Sequence, residues 1–101
     1  MRGKPCYEDY ANRALRFYTR NPGICLMDIP EADAQSWRVC DAICRVLDKR
    51  DFSAIMDIYQ SRCPISDAVS ITARKQQRPE QNVWVLLRVV TKLFAEKRGL
   101  I

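Results

Sequence analysis

The side chains of this sequence that could build a reactive or metal-holding centre are its cysteines and its carboxylates. There are five cysteines, Cys6, Cys25, Cys40, Cys44 and Cys63, and no histidine. Cys40 and Cys44 are four residues apart and share one helix face, and Cys25 and Cys63 would complete a four-thiolate zinc set. Structural zinc sites usually draw their ligand pairs from tight loops, and the chain has no C-x-x-C, so the thiols read instead as reduced, buried core residues. A secreted disulfide scaffold would normally use an even number. The absence of histidine removes Ser-His, Cys-His and His-metal chemistry together. The remaining Asp and Glu residues lie mostly at predicted helix starts. The expectation is a protein without catalytic activity, bound metal or cofactor.

A different chemistry, recognition of a polyanion, is suggested by the charge. The chain has 17 Lys and Arg against 12 Asp and Glu, for a net charge of +5. The excess lies entirely beyond residue 61. There Arg62, Arg74, Lys75, Arg78, Arg88, Lys92, Lys97 and Arg98 face only Asp67, Glu80 and Glu96, and the first 61 residues are neutral. A basic face is often merely solvated, so charge alone is a weak pointer to nucleic acid.

The elements that would position these residues follow from hydrophobic spacing. Tyr7, Tyr10, Ala11, Ala14, Leu15 and Tyr18 recur at three- and four-residue steps, which predicts a first helix ending before Asn21-Pro22-Gly23. Asp28, Pro30 and Glu31 resemble a capping box with Asp28 at the N-cap, opening a second helix. Its stripe is Trp37, Val39, Cys40, Ile43, Cys44 and Leu47, and it stops near Asp48. Asp48 then caps a third helix with Asp51 at N3, turning Phe52, Ile55, Met56, Ile58 and Tyr59 inward. Pro64 breaks the chain and begins a fourth segment. Its Ala68-Val69-Ser70-Ile71-Thr72 run is β-branched enough to suit a strand, but the spacing of Ile65, Val69, Thr72 and Ala73 favours helix. After Gln76-Gln77-Arg78 the last helix runs from Pro79, as N1, to Arg98, with Gly99 at C′.

At 100° per residue, Val83, Leu87, Val90 and Phe94 fall on one side of the last helix, flanked by Leu86 and Leu93. Gln81, Arg88 and Lys92 lie opposite, with Val85 among them. Such a helix suits the major groove of duplex DNA, where Gln pairs with adenine, Val meets a thymine methyl, and Arg and Lys reach guanine or phosphate. An ordinary surface helix has the same periodicity. The groove reading gains from the preceding short helix, the tight connection and the basic excess, in the order a helix-turn-helix requires.

The stretch Leu47-Asp-Lys-Arg-Asp-Phe-Ser-Ala-Ile-Met-Asp-Ile-Tyr59, with Ile65-Ser-Asp-Ala-Val69 and Val83-Trp-Val-Leu-Leu87, resembles region 4 of the sigma-70 RNA polymerase factors. It is especially similar to sigma-like phage regulators of the ArpU kind. The resemblance covers about residues 47–98 through a degenerate motif. It implies a C-terminal helix-turn-helix whose second helix enters the major groove, with Arg78, Glu80, Gln81, Trp84, Val85 and Arg88 facing DNA. Arg74 and Lys75, from the basic excess, and Lys92, from the polar side of the last helix, complete the expected DNA-binding set. The chain departs from the family in having Gln76-Gln77-Arg78 where the turn usually carries Gly and a buried aliphatic residue. The stretch from Tyr59 to Val83 is also about one helical turn longer than the pattern. Residues 1–46 match nothing in region 4, so the resemblance implies a phage or prophage transcriptional regulator rather than a complete sigma factor. RNA polymerase is its implied second partner, and a homodimer is left open.

Taken together, the sequence predicts an all-α, compact bundle of about five helices in a single domain. Residues 1–46 supply N-terminal helices, and 47–101 a sigma region 4-like helix-turn-helix. No apolar run approaches the ~18 residues of a membrane span, and Met1-Arg2-Gly3-Lys4-Pro5 leads into polar, aromatic sequence, so the chain reads as cytoplasmic. The rival expectation is a helical protein-interaction or phage assembly module, since Trp84, Val89 and Leu93 widen the apolar side of the last helix. For Trp84, as for Trp37, packing in or beside the core is the plainer role. The cysteine reading is checked by elemental analysis: the purified protein is expected to carry no stoichiometric zinc and to keep its melting temperature with chelator.

Overall fold

Prolines decide where three of the helices begin. The computed structural model describes residues 7–101. It contains α1 (Tyr7–Arg20), α2 (Glu31–Val46), α3 (Lys49–Gln60), α4 (Ile65–Lys75) and α5 (Glu80–Lys97), with one 3₁₀ turn at Leu26–Asp28. Pro30, Pro64 and Pro79 each occupy the N-cap, with extended ψ values of 148°, 151° and 144°. Pro79 is thus one residue outside the helix it was expected to open. The capping box at Asp28 does not form. A proline drives the residue before it out of the helical region, and Ile29 is extended at φ −126°, ψ 160°, so no helix can run through it from Asp28. At Asp48 no proline intervenes, and the carboxylate accepts the Asp51 amide at 2.8 Å as its spacing predicts.

The β-branched run at 68–72 is helical, and no strand occurs among the described residues. Its fate follows from Val69, Thr72 and Ala73, which are buried together on one helix face against α3 and α5. The core draws Leu15 from α1, Cys40 and Ile43 from α2, Ile55, Ile58 and Tyr59 from α3, Val69 from α4, and Val83, Val90 and Phe94 from α5. Helix α1 packs on α2, α3 and α5, whereas α5 packs on all four other helices. Tyr10 and Phe52, both expected inside, are 40% and 36% exposed. Tyr10 lies across the edge of Phe94 and takes a hydrogen bond from Arg98, and Phe52 borders an open cleft with Tyr18 and Leu47. Trp37 is partly buried, edge-on to Tyr18 at 5.0 Å, and donates from Nε1 to the Asn21 carbonyl.

Helix ends are closed locally. Asn21 Nδ2 donates to the Phe17 carbonyl at the end of α1. After α5, Gly99 has φ +76° and the amides of Gly99 and Leu100 return to Glu96 and Ala95, a Schellman closure of the kind expected from glycine at C′. Helix α4 ends the same way without a glycine. Gln77 takes φ +55°, and the amides of Gln77 and Arg78 return to Arg74 and Ala73.

The thiols divide. Cys40 and Cys44 are buried, as expected, but Cys25 and Cys63 are exposed, because both lie in connections just before a helical turn or a proline. No group of side chains able to hold a metal occurs among the described residues. None of the described helices is long and apolar enough to cross a membrane.

Three outcomes follow from this packing. Leu87, 5% exposed, should cost about 2–5 kcal/mol when truncated to alanine, read by chemical denaturation. Gln77→Gly should raise stability by up to about 1 kcal/mol, since glycine occupies the left-handed region without the Cβ penalty. Burial pushes the Cys44 thiol up to about 11 from an ordinary 9.0, and Cys40 higher still. Folding therefore favours the neutral thiol, and its contribution is complete below 9.0 and lost as pH rises through the folded value. Melting temperature should accordingly fall as pH rises above 9.0; a melting temperature that stays flat would show these thiols to be exposed.

Candidate nucleic-acid interface

The phase of α5 divides it into two sides with different work. Val83, Leu86, Leu87, Val90, Phe94 and Ala95 are buried. Gln81, Val85, Arg88 and Lys92, at steps of four, three and four residues, are exposed on the other side. From Gln81 to Lys92 the stripe is about 16 Å long at 1.5 Å per residue, enough to lie along a major groove about 12 Å wide. Arg88 and Lys92 make no ion pair among the described residues, so their charge is not already spent inside the fold.

The stripe has a neighbour that no local pattern announced. Val85, Arg88, Val89, Thr91 and Lys92 line a shallow groove of about 430 Å³ whose other wall is Tyr7 and Glu8 of α1. A smaller recess of about 230 Å³, lined by Trp84, Leu87, Arg88 and Thr91 with Glu8, Asn12 and Ile65, adjoins it. Glu8 borders both, placing a carboxylate on the flank of the Arg88 site. Trp84 is partly buried against the core and lines this recess.

The four residues between α4 and α5 are tied to the first turn of α3. Arg50 Nη2 donates to the Gln76 carbonyl at 2.9 Å, and Gln76 Nε2 donates back to the Arg50 carbonyl at 3.0 Å. Arg78 Nη1 donates to Asp51 Oδ1 and Gln76 Oε1, both at 3.0 Å. This corrects the expectation for Arg78. Its side chain is only 12% exposed, and the guanidinium is turned into the protein because Asp51 offers a carboxylate there. The backbone amide of Asp51 meanwhile donates to the Asp48 cap.

The other expected residues are spread around this turn. Lys75 reaches Asp57 of α3 at 3.1 Å while remaining mostly exposed, and Arg74 is exposed beside it in the last turn of α4. Glu80 is exposed and accepts a hydrogen bond from Ser70 Oγ at 2.8 Å, bridging α4 to the start of α5. The structure therefore brings Gln81, Val85, Arg88 and Lys92 onto one face. Arg74 and Lys75 lie at the far side of the turn, and Arg78 is withdrawn. Arg50, Asp51 and Gln76 are the residues that sequence spacing missed, since partners 26 or 27 positions apart leave no periodic signal.

Comparison with protein-family models, with curated proteins and with solved structures finds no match for this chain.

A discriminating outcome concerns Arg78. Because it is held by Asp51 and Gln76, Arg78→Ala should lower the melting temperature, whereas Arg88→Ala, at an exposed position, should leave it within the range of surface substitutions, about 0.5 kcal/mol.

Proposed function

We propose that α4, its four-residue connection and α5 act as a helix-turn-helix that binds duplex DNA, with α5 in the major groove. The observation that carries the reading is the outward stripe Gln81, Val85, Arg88 and Lys92 on a helix whose opposite side is committed to the core. Gln81 supplies a base-edge hydrogen-bonding group, Val85 an apolar contact suited to a thymine methyl, and Arg88 and Lys92 neutralise phosphate or reach guanine. The resemblance of residues 47–98 to sigma-70 region 4 supports the same use of α5 and suggests a phage or prophage transcriptional regulator.

A second reading, a protein-interaction module, is favoured by Val85 and Val89, which are 44% and 48% exposed along the same groove. An apolar partner helix would cover both. The basic excess beyond residue 61 gives DNA the stronger claim.

Salt titration separates them. Affinity for random-sequence duplex should fall linearly on a log–log plot against salt, and Lys92→Ala should flatten that slope by roughly one unit on every sequence. Gln81→Ala should leave the slope alone and remove about 1–3 kcal/mol of discrimination at one base pair of a selected site. Absence of salt-sensitive duplex binding by the wild-type protein at low ionic strength would replace this reading with the interaction module.

A further inference from the structure

Arg78 and Asp51 form an ion pair at 3.0 Å, 12% and 28% exposed, between the first turn of α3 and the connection that launches α5. We propose that this pair, with Gln76, is a positioning device that fixes the pose of the first turns of α5, so that sequence discrimination depends on residues that touch no DNA. The inference rests on the helix-turn-helix reading for its effect on DNA but not for its effect on the pose.

The geometry is that of a pin. Gln76 is held through its carbonyl by Arg50 and through both ends of its side-chain amide by Arg50 and Arg78. Asp51 is fixed in turn because its own amide is bound by the Asp48 cap. Helix α3 is a firm base for this, since Ile55, Ile58 and Tyr59 are fully buried and Tyr59 Oη donates to Asn12 of α1 at 2.7 Å. The opposite end of α5 has its own anchor. Arg98 donates to Ser36, Gln35 and Tyr10, and Phe94 is fully buried. The N-terminal end carries Gln81 only three residues beyond Arg78, so a shift of the turn passes directly to the residue that reads a base. Hydrogen-bond readout tolerates displacements of only about half an ångström.

Two features mark the pin as more than packing. Arg78 Nε is buried with no hydrogen-bond partner, and Gln77 is held in the left-handed region without being glycine. Both are local costs accepted to keep this turn in this conformation.

The test compares Asp51→Asn, which keeps side-chain size, and Arg78→Lys, which keeps charge but not the planar fork, with the wild-type chain. Affinity is measured for random-sequence duplex and for a duplex selected from a random pool, alongside amide hydrogen exchange of the free protein. Each variant should lower the selected-to-random affinity ratio about tenfold, the equivalent of one base contact, with the random-duplex salt slope unchanged. Amides of Gln77, Arg78 and Trp84 should exchange faster, and those of Val90 to Phe94 should not change. If Arg78 instead contacts phosphate, Asp51→Asn frees it and strengthens random-duplex binding, which overturns the proposal. Faster exchange throughout the chain, or an unchanged ratio beside unchanged exchange, also overturns it. Should the wild-type protein bind no duplex, the DNA reading has failed and exchange at Gln77, Arg78 and Trp84 alone decides whether the pin holds the pose.

Discussion

The burial of one side of α5 is the constraint on which the rest of the molecule depends. Val83, Leu87, Val90 and Phe94 form a seam that packs on all four other helices, so the two halves of the chain share one core through this element. A helix used in this way has only one side left to offer. Because 3.6 residues make a turn, the phase of the seam places Gln81, Val85, Arg88 and Lys92 on the exposed side. Core packing and presentation are the same structural fact viewed from opposite sides of one helix.

The two ends of α5 are secured differently. Its C-terminal half is held by apolar burial, by the Arg98 fan and by a glycine-closed Schellman turn. Its N-terminal end adds to the buried Val83 a polar clamp to α3, closed through a left-handed glutamine. The hydrogen bonds of this clamp, near 3 Å, tolerate little displacement. The groove against α1 is lined by Glu8 as well as by Arg88 and Lys92, so a carboxylate borders the basic end of the stripe.

Much of the fold was legible because helical spacing is a local signal. The stripes of α1, α2 and α5, the Asp48 cap and the Gly99 closure all follow from residues within a few positions of one another. The failures have physical causes. Pro30 overrode the capping pattern at Asp28 by forcing Ile29 extended. Cys25 and Cys63 have the residue type of the core but lie outside the five α-helices, and both are exposed. Phe52 and Tyr10 have the right phase yet sit where the neighbouring helices do not cover them. In the candidate site, the exposed stripe of α5 was legible from periodicity. The withdrawal of Arg78 was not, since it depends on Asp51, 27 residues away, and no pattern along the chain encodes that meeting.

The central claim, that the exposed side of α5 is a DNA-reading surface, is tested most directly by mapping amide chemical shifts while the protein is titrated with duplex DNA at low salt. Perturbations should concentrate at the α4–α5 connection and along Gln81, Val85, Arg88 and Lys92, with α2 and the Arg98 end of α5 undisturbed. Perturbations centred on α2, or none at all at DNA concentrations where nonspecific binding should saturate, would contradict it.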